Sequence, residues 1–181
     1  NKKPTNRFKK LENCNYAVDL GKQMKFSLVG IGGTDLVDGN QTLTLALVWQ
    51  LMRLHVLTIL KEVAGKIGKK EVGEADMVNW SNQQVRDAGK STSMDGFKDS
   101  SLSNSLFFLD LLSAIRNCVD YDLVTAGDNA EDAMLNAKYA ISLARKIGCC
   151  IFLLPEDIIE VKPKMILTFV GTIMAVALQG Q

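Results

Sequence analysis

Apolar residues recur along this chain every three or four positions, which is the spacing of one face of an α-helix. The pattern predicts helices over 11–21, 42–63, 102–115 and 128–147, an irregular amphipathic helix with Asp76 as its N-cap, a short helical turn over 155–160 and a final helix that starts at Pro163. No stretch alternates apolar and polar residues for long enough to form a sheet. The sequence therefore predicts an all-α fold.

The chain repeats itself once. Residues 16–20 (YAVDL) return as 139–143 (YAISL) at an offset of 123, and 35–37 (DLV) return as 157–159 (DII) at an offset of 122. A repeat of this length in 181 residues corresponds to one complete unit preceded by the second half of another. We therefore predict two units of one fold, the first of them incomplete.

The helix that ends each copy has the same distribution of side chains. In the first copy, Leu43, Leu47 and Leu51 form one apolar row, and the small or polar residues form a narrow arc of Thr42, Ala46, Gln50 and Arg53. At an offset of 122 the arc becomes Lys164, Thr168, Thr172 and Ala175. Both helices are apolar over most of their circumference, as expected for a helix surrounded by its neighbours.

The repeat suggests limits for the domains. We assign 1–64 to the C-terminal half of the first unit, the glycine- and lysine-rich segment 65–75 to a linker, and 76–181 to the complete second unit. Nothing before the first copy would cover Trp49 and the leucine row, so we expect a fragment of a longer protein with exposed apolar surface. Residues 1–10 carry five cations and no acid, and we interpret them as a solvated arm without function.

Charge and composition remove several classes of function. Twenty-one Lys and Arg against twenty Asp and Glu give a net charge of +1, so no overall charge favours nucleic acid. The longest apolar stretch, 165–178, falls short of the roughly 20 residues of a membrane span, and no leader pattern is present. We expect a cytoplasmic protein with four reduced, mostly buried cysteines.

No group of residues suggests catalysis, a cofactor or a metal. The glycine run 30–34 lacks the lysine of a P-loop, and the acidic residues 120–132 lack the spacing of a calcium loop. Asp128 is better interpreted as an N-cap with Glu131 as its capping-box partner. His55 is the only histidine, which excludes triads and multi-histidine metal sites, and Cys149 and Cys150 are interpreted as packed apolar residues.

Several long motifs resemble the calponin homology fold, and within it the fimbrin, or plastin, family. They are 10–18 (KLENCNYAV), 26–33 (FSLVGIGG), 43–53 (LTLALVWQLMR), 136–142 (NAKYAIS), 154–157 (LPED) and 160–165 (EVKPKM). The resemblance covers nearly the whole chain and implies the C-terminal actin-binding region, from the back half of the third calponin homology domain through the fourth. It implies one filament-binding half of an actin-bundling, cytoskeletal protein, which packs against a preceding calponin homology segment.

The resemblance also suggests which residues would contact actin. In such pairs the last helix of the first domain contacts the filament, here 42–55 with the arc Thr42, Ala46, Gln50 and Arg53. The first helix of the second unit is the next such segment, with Trp80 and Arg86 as candidates. The arc could instead pack on the second domain or meet water, and the pair could be a scaffold for another cytoskeletal or signalling protein. Two departures are Ser81, where the family usually has an apolar residue, and 175–181, which replaces a basic tail.

Overall fold

The structure is a computed structural model that describes residues 1–179. Within this range the chain forms α-helices and two short 3₁₀ helices and contains no strand, which confirms the all-α prediction. The helices are α1 (Arg7–Gln23), α2 (Gly33–Val37), α3 (Gln41–Lys66), α4 (Glu74–Asp87), α5 (Leu106–Ile115), α6 (Ala130–Lys146), α7 (Pro155–Ile159) and α8 (Pro163–Gln179). The 3₁₀ helices are Ser100–Asn104 and Tyr121–Leu123.

The chain divides into two compact units, unit 1 (1–55) and unit 2 (from Val56 onward). The division falls within α3, which gives its first part to unit 1 and its last part to unit 2. In unit 2, Val63 is buried and Ile59 and Leu60 pack against the same core. The segment between α3 and α4 is 67–73, and the domain limits 1–64 and 76–181 remain a prediction.

Unit 1 packs α1 and α2 together with the first part of α3 around a small core of Val18, Ile31 and Leu47. Gly33, the first residue of α2, lies directly against α1: a Cβ atom there would be 2.1 Å from Asn15 Oδ1. The glycine run is therefore a close contact between two helices. Gly21 on α1 is less confined, since its Cβ would be 2.8 Å from Leu28 Cδ1, the end of a flexible side chain.

Unit 2 has a large continuous core built from α4 to α8 and the end of α3. Phe108 on α5 and Phe169 on α8 stand with ring centroids 5.3 Å apart at its centre. Lys66 donates from Nζ to the Leu178 carbonyl at 2.7 Å, which satisfies a free carbonyl in the last turn of α8. The apolar helices of the second copy thus bury their faces as the sequence predicts.

Three side-chain amides each bind both the N–H and the C=O of one residue in a neighbouring loop, and we call these contacts amide brackets. Gln50 brackets Ser27 at 2.8 and 2.8 Å, Asn82 brackets Met94 at 3.0 and 2.9 Å, and Asn136 brackets Thr125 at 3.0 and 3.0 Å. Each bracket supplies the pair of hydrogen bonds that a neighbouring strand would otherwise give. The loops are thereby fixed without any sheet.

Two helix N-caps differ from the sequence prediction. Asn129, not Asp128, caps α6, and its side chain accepts from the N–H groups of Glu131 and Asp132 at 3.0 Å each. Asp76 is not the cap of α4, because that helix begins two residues earlier and has Gly73 at its N-cap. The Asp76 carboxylate instead accepts from the Gly73 N–H at 3.0 Å.

Two segments also differ in extent. The predicted helix over 102–115 is two elements, because Ser105 adopts a left-handed backbone with φ 64° between a 3₁₀ helix and α5. The solvated arm over 1–10 is wrong for its last four residues, since α1 begins at Arg7 with Asn6 as its N-cap. Of the departing C-terminal segment 175–181, the last two residues lie outside the described part of the chain.

Candidate functional site

The first part of α3 turns one face toward the rest of unit 1. Leu47 is buried on this face, and its Cδ1 would lie 3.4 Å from a Cβ atom at Gly21 on α1. Gln50 lies one turn further on and is half-buried, since its amide brackets Ser27. This side of the helix therefore holds unit 1 together.

The structure separates the four residues of the predicted arc. Thr42 and Arg53 at its two ends are exposed, whereas Ala46 and Gln50 in the middle are half-buried. The polar atoms of Gln50 that would meet a partner are already hydrogen-bonded within unit 1. The arc as an actin contact remains a prediction, and its two ends are the parts open to solvent.

The apolar face of α3 in unit 1 is exposed, as the sequence predicts. Leu45 is 66% exposed, Val48 51%, Trp49 44% and Leu51 46%. The whole helix is long and apolar enough to cross a membrane by length and composition, which for a single helix is weak evidence of a span. Arg53 lies near its middle, where a charge is costly in a bilayer. Packing against protein accounts for this face better than insertion into lipid.

The equivalent helix of unit 2, α8, shows what covers such a face in a complete unit. Its counterparts of Val48, Trp49 and Leu51 are Val170, Gly171 and Ile173, and all three are buried. A Cβ atom at Gly171 would lie 3.4 Å from Leu60 Cδ2 at the end of α3 and 3.9 Å from Met77 Sδ on α4, so both helices cover this face. The counterparts of Ala46 and Gln50 are also buried, as Thr168 and Thr172, whose hydroxyls donate to carbonyls of their own helix at 2.6 and 2.9 Å.

The two candidates on α4 occupy different environments. Trp80 is half-buried and packs against the core of unit 2, while Arg86 in the last turn is exposed. Between them Ser81 is fully buried, and its hydroxyl has no hydrogen-bond partner in the described part of the chain. The Arg86 guanidinium is therefore accessible to a partner, whereas only part of the Trp80 side chain is accessible because the rest packs against the core.

The buried polar groups are used for structure. Asp110 accepts from the Tyr121 hydroxyl and the Thr92 hydroxyl at 2.7 Å each, and Asp157 accepts from the Leu154 N–H and Lys162 Nζ at 2.8 Å each. Over residues 1–179, no three His, Cys, Asp or Glu side chains are grouped closely enough to hold a metal ion. Asp110 and Asp157 thus hold loops and helix ends in place within unit 2.

The four cysteines are free thiols, but only Cys149 is buried, so the expectation of mostly buried thiols is wrong. Burial raises the pKa of Cys149 to about 12. Its neighbour Cys150 is exposed, so the two are not equivalent packed residues. The alternation follows from the loop conformation after α6, which turns one side chain inward and the next outward.

One charged surface was assigned no function from the sequence. Arg7, Lys9 and Lys10 lie in the first turns of α1, on an ordered helix. The repeat contains the signal that would have found it, because Asn6 stands 123 residues before Asn129, the N-cap of α6. Recognising Asn6 as an N-cap from this repeat would have predicted that α1 starts at Arg7.

Comparisons with known proteins agree with this geometry. The family model of the calponin homology (CH) domain matches residues 1–56 and 71–179. Plastin-3 of Homo sapiens is 56% identical over 169 residues, which cover 92% of this chain and 26% of plastin-3. Fimbrin of Schizosaccharomyces pombe is 51% identical over 171 residues, 94% of this chain and 28% of that fimbrin. Fimbrin-5 of Arabidopsis thaliana is 49% identical over 175 residues, 96% of this chain and 26% of that protein.

A solved structure is also similar. The crystal structure of the actin-crosslinking core of Schizosaccharomyces pombe fimbrin superposes with a TM-score of 0.61 at 48% sequence identity. The match covers 96% of this chain and 36% of that one. The chain spans about a quarter of the length of the full-length relatives it matches.

Proposed function

The chain belongs to the calponin homology domain family, and we propose that it binds actin filaments as one half of an actin-crosslinking protein of fimbrin type. The observation that carries the proposal is the similarity to the actin-crosslinking core of a fimbrin, at 48% identity over 96% of this chain. A match of this extent and identity supports a shared binding role as well as a shared fold. Binding, not catalysis, is the proposed activity, and the proposed location is the cytoskeleton.

We propose that the parts of the predicted surface that are open to solvent meet the filament. Thr42 and Arg53 at the ends of the arc, and Arg86 on α4, present side chains that are open to solvent. Gln50 contributes indirectly by holding the Ser27 loop, and Ala46 lies half-buried between them. We therefore place the contact at the exposed ends of the arc and on the outer side of α4, with Trp80 as its partly buried edge.

The exposed apolar face of unit 1 has a place in the same proposal. In unit 2 the equivalent face of α8 is covered by the end of α3, which contributes Leu60, and by α4, which contributes Met77. We propose that a preceding calponin homology segment covers Leu45, Val48 and Trp49 in the working protein. The packing would differ from that in unit 2, because an indole stands at Trp49 where unit 2 has Gly171 and needs room that Leu60 and Met77 fill there.

Co-sedimentation with actin filaments at two salt concentrations tests the function. It compares this chain, a version extended at its N-terminus to complete unit 1, and the double variant Arg53→Glu/Arg86→Glu. We expect the reversal to weaken binding about tenfold or more, since rim charges set association and its salt dependence. The matched control is Arg145→Glu/Lys146→Glu, which makes the same charge change on the exposed side of α6.

Each outcome has a distinct meaning. Loss of binding in Arg53→Glu/Arg86→Glu but not in the control supports the proposed surface. Equal binding of both variants means that the contact lies elsewhere. If neither the chain nor its extended version sediments with filaments while both are folded, the function proposal fails and a scaffold that binds another protein replaces it.

A further inference from the structure

A buried carboxylate lies in the most apolar helix of unit 2. Residues 107–112 of α5 are all buried, and apart from Asp110 they are phenylalanine or leucine. Burying a carboxylate is costly unless it is paired, and an apolar residue in place of a buried ion pair is often equally stable or more so. Folding alone therefore does not require Asp110.

Side chains from two separate segments meet at this carboxylate. The hydroxyls of Thr92 and Tyr121 donate to Asp110 at 2.7 Å each. Lys90 Nζ lies 3.9 Å from Asp110 Oδ1 and 3.7 Å from the centroid of the Tyr121 ring. We call these four residues the Asp110 cluster. It holds the segment that follows α4 against α5 and against the 3₁₀ helix Tyr121–Leu123.

One member of the cluster also closes the end of α4. The Lys90 N–H donates to the Val85 carbonyl at 3.1 Å, and the Gly89 N–H donates to the Arg86 carbonyl at 2.9 Å. Carbonyls in the last turn of a helix have no partner within the helix, and such turns fray readily. The position of Lys90 therefore determines whether the turn that carries Arg86 is ordered.

Burial does not hold this turn, because residues 86–89 are all exposed. Gln83 donates to Asp87 at 2.6 Å, but both residues lie on α4 itself. The contacts of Lys90 with Asp110 and Tyr121 instead tie the end of α4 to other elements of unit 2. The Asp110 cluster is thus the anchor of the last turn of α4.

We propose that Asp110 is a positioning residue for filament binding: through Lys90 it holds the last turn of α4 so that Arg86 meets the filament in one orientation. This inference rests on the proposed function, which places Arg86 in the contact, and adds the group that orients Arg86. An arginine on an ordered turn loses less conformational freedom on binding than one on a frayed turn, so the cluster strengthens the contact.

A double-mutant cycle tests the proposal by co-sedimentation of the chain, extended as above, with actin filaments. In the otherwise unaltered chain we expect Arg86→Ala to weaken binding about fivefold or more. In Lys90→Met or Asp110→Asn the same substitution should weaken binding less than about twofold further, because Arg86 is no longer held in place. Lys90→Arg keeps a cation that can stand over the Tyr121 ring and should restore the full effect of Arg86→Ala.

The matched control is Lys162→Met. Lys162 Nζ binds Asp157, another buried carboxylate of unit 2, at 2.8 Å, and lies between α7 and α8. We expect Arg86→Ala to keep its full effect in this background, because two interactions without shared partners add. If Asp110→Asn does not fold, Lys90→Met decides, since the Lys90 side chain is 33% exposed and its loss leaves the core intact.

The outcomes separate this inference from the function proposal. If the unaltered extended chain does not sediment with filaments, both fail. If it does and Arg86→Ala has no effect, or has its full effect in Lys90→Met, only the positioning role of Asp110 is overturned. A reduced effect in Lys162→Met also overturns it, since a general loss of order would then explain both. Failure of Lys90→Arg to restore the effect overturns it as well.

Discussion

Lys25 and Gly148 occupy the same position in the two units, one residue after the C-caps of α1 and α6, and both have a left-handed backbone, with φ of 60° and 103°. The turns are closed by matching bonds: the Phe26 N–H donates to the Gly21 carbonyl at 3.0 Å, and the Cys149 N–H to the Ala144 carbonyl at 2.9 Å. This is the usual glycine-ended helix terminus. In unit 1 the left-handed position of this terminus is occupied by Lys25 instead of glycine.

Replacing Lys25 with glycine should therefore stabilise unit 1. A left-handed backbone costs an ordinary residue about 1 kcal/mol or more, and Lys25 is exposed, so no packing is lost. We expect Lys25→Gly to raise the free energy of unfolding by about 0.5–1 kcal/mol in urea melts. Lys22→Gly, within the last turn of α1, is the control and should lower it by about 1 kcal/mol. A loss of stability in Lys25→Gly would contradict the strain argument.

Ser81→Ala should stabilise unit 2. The Ser81 hydroxyl is fully buried and lacks a partner among the described residues, and an unmade hydrogen bond of this kind costs about 1–3 kcal/mol. Alanine also has the higher helix propensity, so the control is Ser142→Ala, an exposed serine within α6. We expect a gain of about 1 kcal/mol or more for Ser81→Ala beyond the control, measured by thermal unfolding. Equal gains would mean that the buried hydroxyl carries no penalty.

Asp157 should make the stability of unit 2 depend on pH. Burial acts to raise its pKa, but the Leu154 N–H and the Lys162 ammonium, which both bind the carboxylate, leave the pKa below its usual value. A lowered pKa in the folded state contributes stability that is present above the unfolded pKa of about 3.9 and is lost as the pH falls through the folded value.

We therefore expect Asp157→Asn to cost about 1–2 kcal/mol at pH 7, and the difference from the unaltered chain to shrink below about pH 4. Urea melts across pH 3–7 measure this. Glu160→Gln is the control, because Glu160 binds the same Lys162 at 2.9 Å but is exposed. A difference that stays constant with pH would exclude the ionised carboxylate as its source.

The two sides of α3 in unit 1 should respond oppositely to polar substitution. Leu45 and Trp49 are exposed, so Leu45→Gln/Trp49→Gln should change stability by about 0.5 kcal/mol or less while reducing the binding of a hydrophobic dye. Leu47 is 6% exposed, and Leu47→Gln should cost about 2 kcal/mol or more. Equal losses in both variants would mean that the exposed face is packed in solution.

The repeat made most of the fold predictable. Because apolar residues recur at helical spacing in both copies, the pairs α1 with α6, α2 with α7 and α3 with α8 could be matched before any coordinates. The helix ends were harder, since Asp128 and Asn129 are both good caps and only the path of the chain chooses between them. When two adjacent residues have equal N-cap propensity, the sequence alone does not determine the residue at which the helix begins.

The binding surface was less predictable, and Gln50 shows why. A polar residue on an apolar helix is interpreted as facing solvent or a partner, but an amide can also bind backbone that lies 23 residues away in sequence. The spacing of residues along α3 does not indicate that Gln50 binds the loop at Ser27. The start of α1 was missed for a related reason, because five cations without acids look like an arm until Asn6 is seen to start a helix.

The amide brackets have a consequence for the chemical lifetime of the protein. Hydrolysis of an asparagine side chain to aspartate turns the donating –NH₂ group into an acceptor. At Asn82 or Asn136, that single event would set a carboxylate oxygen against the carbonyl of Met94 or Thr125, where a hydrogen bond now holds. Ageing at these two amides would release the loops they fix while the apolar core stayed packed, so stored protein would lose loop order before it lost helix.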